Sequence, residues 1–446
     1  MQPRLVKAFL LLVLAWTSGL ALAALPIQHW RQPSGAQVFL VESRGIPMVD
    51  VQVDFDAGGR RDPPQQAGLA SVTAAMTGKG LLAQGGEPAM DENQLGEAWA
   101  DLGAGFGGDA GSDRMSFSLR SLTEPALLDR VVHLAARQFG EPAFPAHVWA
   151  RDRQRLTASL REALTRPGTV AGRAYEASVY GGHPYGAEMT EESLARIEVD
   201  DMRRFFRAHV LPCRAKVSIV GDVDRARADA LVTRLLARLP QDAGCPPLPP
   251  VPEVPPLKEA TLRDIPFQSA QAHVLIGQPG YKRSDPDYFP LMVGNYILGG
   301  GGLVSRLSTE VREKRGLSYG ASSYFSPGLH AGAFTVGLQT RPDQARQAVQ
   351  VARDTVARFV AQGPTPEELK AAKDYMIGGF PLRIDSNRKL LDNVAAIAWH
   401  GLPLDYLDTW TAQVARVTAE DVRAAFARKL QPDRMVTVIV GAAPGP

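Results

Sequence analysis

No run of Lys or Arg occurs anywhere in this chain, and its net charge is only +2. That removes the electrostatic footprint of a nucleic-acid or anionic-membrane binder. Past the N-terminal segment, no stretch has the length and apolarity of a transmembrane helix. Histidine is sparse, and the nearest pair, His133 and His147, stands fourteen residues apart. No pair has helical ligand spacing, and no His-x-His occurs, so no local metal motif is present. There is no Gly-x-Ser-x-Gly elbow. The glycine run Gly299–Gly302 lacks the Lys-Ser/Thr of a phosphate loop and reads as a close-approach turn before a helix. Cysteine is scarce as well. Cys213 and Cys245 either pair, as an oxidising compartment permits, or are two unrelated thiols.

What is present suits a folded protein. Of 446 residues, 45% are hydrophobic and 22% charged, enough for a sizeable core and against wholesale disorder. The N-terminus reads as a secretory signal, residues 1–23. Arg4 and Lys7 precede an apolar run from Ala8 to Leu22, and Ala21-Leu22-Ala23 fits a small-x-small cleavage site. The competing reading is an uncleaved anchor, for which the apolar core is short. No Cys at the cleavage point offers a lipid attachment. The protein is therefore expected to be exported, and periplasmic if its source is a Gram-negative bacterium.

A Pro-rich stretch, PQDAGCPPLPPVPEVPP from Pro240 to Pro256, reads as a semi-rigid linker. It separates halves of about 215 and about 190 residues, each of domain size. The halves repeat. Asp201–Gly221 (DMRRFFRAHVLPCRAKVSIVG) and Asp421–Gly441 (DVRAAFARKLQPDRMVTVIVG) align without gaps. Each predicts an amphipathic helix, a Pro break and a buried strand. Met115–Phe139 similarly resembles Ala333–Phe359, a strand followed by a long helix. Repeats this long imply a duplicated α+β domain rather than a solenoid.

Four further pieces carry a family resemblance: GGRRDPPQQAGLASVTAAMTGKG (Gly58–Gly80), YGGHPYG (Tyr180–Gly186), ILGGGGLVSRLSTEVREKRGLSYG (Ile297–Gly320) and LDNVAAIAWHGLPLDYLDTW (Leu391–Trp410). Together they resemble the pitrilysin / insulinase / mitochondrial-processing-peptidase family over nearly the whole mature chain. The resemblance implies an α+β fold of two homologous α/β-sandwich domains, each a mixed sheet with helices packed on it, in a pseudo-two-fold clam-shell. The expected division is a peptidase-like domain over 24–239, a linker over 240–258 and a second such domain over 259–446.

Active members of that family carry His-x-x-Glu-His on the first helix. Two His at i and i+4 bind zinc and the Glu activates water, with a distal Glu as third ligand. Aligned on Gly-Leu-Ala, the first His falls on Ser71, the base on Ala74 and the second His on Ala75. The distal Glu falls on Ser159, and an acidic residue of the pattern survives as Asp152. Alanine offers neither ligand nor base, and a Ser hydroxyl is a poor ligand beside His or carboxylate. The segment reads instead as an Ala-rich amphipathic helix with Leu69, Val72 and Met76 on its core face. His183, in HPYG, reads as a turn residue that packs or caps.

The second half keeps what the first lost. Arg312 and Tyr319 have the spacing at which, in the resembled family, an Arg and a Tyr hold the substrate backbone facing the zinc. A guanidinium offers a planar donor fork and a phenol a neutral hydrogen bond. The bland alternative is a solvated helix residue and a half-buried strand start. Strands after Tyr319 would offer an edge for β-addition of a peptide. The expectation is a non-catalytic, substrate-binding subunit without a cofactor of its own, forming a heterodimer with a zinc-bearing sister subunit. The alternatives are a stand-alone peptide-binding or structural assembly protein, or an enzyme with an unrecognised site.

Overall fold

The computed structural model describes residues 26–241 and 244–443. The expected signal segment, residues 1–23, lies outside them. Two mixed sheets organise the chain. The first contains β1 (Gln28–Arg31), β2 (Gln37–Glu42), β3 (Met48–Phe55), β4 (Gly105–Ala110), β5 (Met115–Leu122) and β6 (Lys216–Gly221), in the order β1-β2-β6-β3-β5-β4. The second contains β7 (Thr261–Ile265), β8 (Ala272–Tyr281), β9 (Ser318–Phe325), β10 (Gly332–Thr340) and β11 (Val436–Val440), in the order β7-β11-β8-β10-β9. Apart from β1, the orders superpose strand for strand. In both, one parallel pair (β2–β6, β7–β11) leads into antiparallel neighbours. Each sheet ends on a strand with one neighbour, β4 in the first and β9 in the second.

The repeat has a local cause. Helices Val199–His209 and Ala419–Lys429 both open with capping boxes, in which the carboxylates of Asp201 and Asp421 accept from the backbone N–H of Glu198 and Thr418, each at 2.9 Å. Both helices bury a Phe at the matching position, Phe206 and Phe426. Each is followed by a 3-10 turn on the Pro, Pro212–Arg214 or Pro432–Arg434, and then by β6 or β11. β6 ends at Gly221 and β11 just before Gly441, both glycines at positive φ. A Cβ at Gly221 would lie 2.3 Å from the Met48 carbonyl oxygen, so no side chain fits there.

The halves exchange a helix. Pro167–Tyr180, from the first half, packs Ala171, Tyr175 and Val179 on Val436, Val438 and Val440 of the second sheet. Asn387–His400, from the second half, packs Leu391, Val394 and Ile397 on Phe39, Val41 and Val220 of the first. The Lys216 ammonium donates to the carbonyls of Ala398 and Trp399 at that helix's end, at 2.9 and 3.0 Å.

The Pro-rich segment is tied along its length to the first half. Cys213 and Cys245 form a disulfide with Cα atoms 6.1 Å apart. Arg214 and Arg61 donate to the carbonyls of Pro246 and Pro249. A ring nitrogen of His183 lies 2.9 Å from the Pro252 carbonyl oxygen, and Val254 is buried with the exchanged helix.

Candidate functional site

The helix Leu69–Met76 is short and buries Leu69, Val72 and Met76, the residues its sequence places inward. Ser71 is half-buried, and its hydroxyl donates to the Ala110 carbonyl of β4 at 3.3 Å. Ala74 is fully buried. A Cβ at Gly108 of β4 would approach the Ala74 carbonyl oxygen to 3.2 Å, so helix and strand are in close contact there. Ala75 is exposed, and Ser159 is exposed on helix Ala146–Ala163.

Asp152, on that same helix, is buried and lies among cations: Arg151 at 2.9 Å, Arg155 at 3.5 Å and Lys79 at 3.8 Å. Glu92 pairs with Arg151 and Lys79, and the Arg151 bond holds its carboxyl down at about 2. A donor set of two alanines, a serine hydroxyl bonded to a carbonyl and an exposed serine does not fit a zinc ion. Among the described residues, no three His, Cys, Asp or Glu side chains gather in a metal-binding group. His183 caps: its Nδ1 accepts the Tyr185 N–H at 3.1 Å, starting the turn Pro184–Gly186.

The second half is more open. Glycines bring the chain close to β9: a Cβ at Gly299 would lie 2.4 Å from the Ser323 nitrogen. The helix expected after them is not α-helical. Tyr296–Gly300 and Ser308–Glu313 are π-helical turns, a rare geometry that recurs at functional sites. The second turn carries Arg312. Its guanidinium lies 5.4 Å from the centre of the Tyr319 ring, and Tyr319 is 88% exposed. The neighbouring cations Lys314 and Arg315 take Glu310, and Arg312 has no ion-pair partner among the described residues. Tyr319 sits at the start of β9, the open edge of the sheet. The pair thus presents an unneutralised donor fork and a phenol beside unpaired strand backbone.

Between the halves lies a cavity of about 420 Å³, lined by the β4–β5 turn, the exchanged helix and the chain leaving β9. Glu176, Tyr324 and His400 are among its lining residues. Burial, aided by Arg283, holds the His400 imidazole down at about 4, so it is neutral at pH 7. The sequence did not single out these residues. They stand far apart in the chain, and only the helix exchange brings them together.

Residues 196–376 match the family model described as the Peptidase M16 inactive domain. The fold superposes on the M16 inactive domain from Pseudomonas fluorescens with a TM-score of 0.87 and 33% identity, over 94% of this chain and 98% of that one. A protein of Streptomyces coelicolor described as an uncharacterized zinc protease is 30% identical over 268 residues, which span 58% of this chain and 57% of that protein. The Helicobacter pylori non-peptidase homologue YmxG is 26% identical over 428 residues, 94% of each chain. By these matches the chain belongs to the M16 peptidase family as a non-catalytic member.

Proposed function

We propose that this chain is the substrate-binding subunit of a two-chain zinc metallopeptidase that acts on peptides or unfolded protein. A sister subunit of the same family carries the zinc, and this chain supplies Arg312 and Tyr319 to hold the substrate backbone. In this reading the protein is exported, with residues 1–23 removed, and works in the periplasm if its source is a Gram-negative bacterium. The observation that carries the reading is the unpaired Arg312 guanidinium beside the exposed Tyr319 at the edge strand β9. A structural arginine gains only an exposed cation–π contact from that placement, whereas an extended peptide gains strand pairing from β9 and a charge-assisted bond from Arg312. The test is purification of the tagged protein from its native host, followed by identification of the proteins that accompany it. A stoichiometric M16 chain with His-x-x-Glu-His, and zinc-dependent peptidase activity only in the joint fraction, supports the reading. Recovery of the protein alone favours a stand-alone peptide-binding or assembly role.

A further inference from the structure

We propose that the cleft beside Tyr319 is a side-chain pocket that admits uncharged residues of an extended peptide and rejects charged ones. This rests on the substrate-binding reading above and adds the class of substrate.

The cleft has a volume of about 660 Å³ and lies on one face of the second sheet. Its floor is set by strand register. Gly337 of β10 stands between Leu275 of β8 and Ser322 of β9, and one step along Gln339 stands beside His273. Successive residues on one face are two apart, so these side chains share a surface. Gly337 keeps it deep: a Cβ there meets nothing nearer than the Leu275 side chain at 3.6 Å. Leu303, 61% exposed, supplies an apolar wall.

None of the residues lining the cleft is Asp, Glu, Lys or Arg. Burial holds the His273 imidazole below its usual range, so it too is neutral at pH 7. A charged side chain entering here gives up part of its water and finds no counter-ion among the lining residues, whereas an aliphatic or amide side chain does not meet that cost. The cleft is also not simply greasy. Ser308 is only 2% exposed, lines the cleft, and its hydroxyl has no hydrogen-bond partner among the described residues. Buried hydroxyls are normally bonded, so this one marks a place for a ligand's polar group. The same π-helical turn carries Ser308 at its start and Arg312 one turn on.

The occupant follows from continuity. Tyr319 belongs both to the Arg312 pair and to the cleft wall, and β9 runs along the cleft with Gly320 and Ser322 exposed. A peptide strand added to β9 would set alternate side chains over this face.

The experiment uses the isolated, signal-free chain and fluorescein-labelled Ser/Thr decapeptides with one central Leu, Gln, Lys or Glu, read by fluorescence anisotropy. The Leu and Gln peptides should bind at least about tenfold more tightly than the Lys and Glu peptides. Gly337→Leu should fill the cleft and weaken the Leu peptide about tenfold with the thermal midpoint kept. His273→Asp should raise affinity for the Lys peptide. Equal binding of all four, binding of none, or a Gly337→Leu variant that binds as the parent overturns the proposal. Arg312→Ala keeps the two readings apart, because it should weaken all four peptides alike. If it changes nothing while Leu is still preferred over Lys, the Arg312 role falls and the cleft stands.

Discussion

The hydroxyl of Tyr175 donates a 2.8 Å hydrogen bond to the backbone carbonyl of Phe334. The first residue belongs to the exchanged helix of the first half, the second to the sheet that carries Tyr319. The bond passes over Gly277, where a Cβ would stand 1.9 Å from the Phe334 oxygen and 2.1 Å from the Tyr175 hydroxyl. The same hydroxyl lies 3.0 Å from the Thr335 Oγ1, so Tyr175→Phe should cost about 1 to 2 kcal/mol, two buried neutral hydrogen bonds. Gly277→Ala should cost more, about 2 to 3 kcal/mol, because it overpacks the same point and forces the helix off the sheet. Urea unfolding of both variants checks the order. A Gly277→Ala protein as stable as Tyr175→Phe would contradict the packing described.

Ala74, on which the family resemblance aligns the catalytic base, is fully buried. Restoring the Glu there should not restore a peptidase. It should place a carboxylate with no partner in a closed site, costing about 3 to 5 kcal/mol. Thermal and urea denaturation of Ala74→Glu measure this, and a near-neutral effect would mean that the position opens.

Arg312→Ala should leave folding and subunit pairing intact. In the reconstituted pair, kcat/KM should fall about tenfold to a hundredfold, the equivalent of one charge-assisted bond made in the transition state. The Tyr319→Phe loss should be smaller, unless the phenol meets the developing oxyanion. Melting and co-purification serve as controls. Unchanged kinetics in both variants would leave the purely structural role ahead.

His400 gives a pH signature. Its imidazole titrates at about 4 in the folded chain, against an ordinary 6.5. Between those values the unfolded chain binds more protons than the folded one. Stability should therefore decline as pH falls from 6.5 towards 4. Replacing the group with His400→Gln removes that contribution, so the variant should lose less stability over the same window. Melting curves at pH 7.5, 6 and 4.5 compare the two, and parallel declines would refute the assignment.

The repeat was legible in the sequence because its signals are local. The capping-box aspartates, the helix-breaking prolines and the terminal glycines act within a few residues of themselves. The departure from His and Glu at the aligned positions Ser71, Ala74 and Ala75 is likewise local, since a motif of five adjacent residues shows each difference directly. The helix exchange was not legible. Periodicity tells that Asn387–His400 has an apolar face but not which sheet receives it, and the receiving Val41 and Val220 lie far away in the chain. The π-helical turns were missed because sequence carries no period for them. The cleft beside Tyr319 was missed because its floor is the absence of a side chain at Gly337, which only the register with β8 and β9 turns into a space.

The exchange of helices bears on what happens when the chain is cut. A break in the Pro-rich segment gives two fragments, each carrying the cover for the other's sheet and lacking part of its own. Separately, each would show water an apolar sheet face and an apolar helix face at once. Mixed, they interlock, and the Cys213–Cys245 bond holds the severed end of the strap to the first piece if the cut falls beyond residue 245. A nicked molecule of this protein is thus one particle with an extra pair of termini, and cleavage of this segment would pass unseen until the sample was denatured, with reduction needed as well only if the cut falls before Cys245.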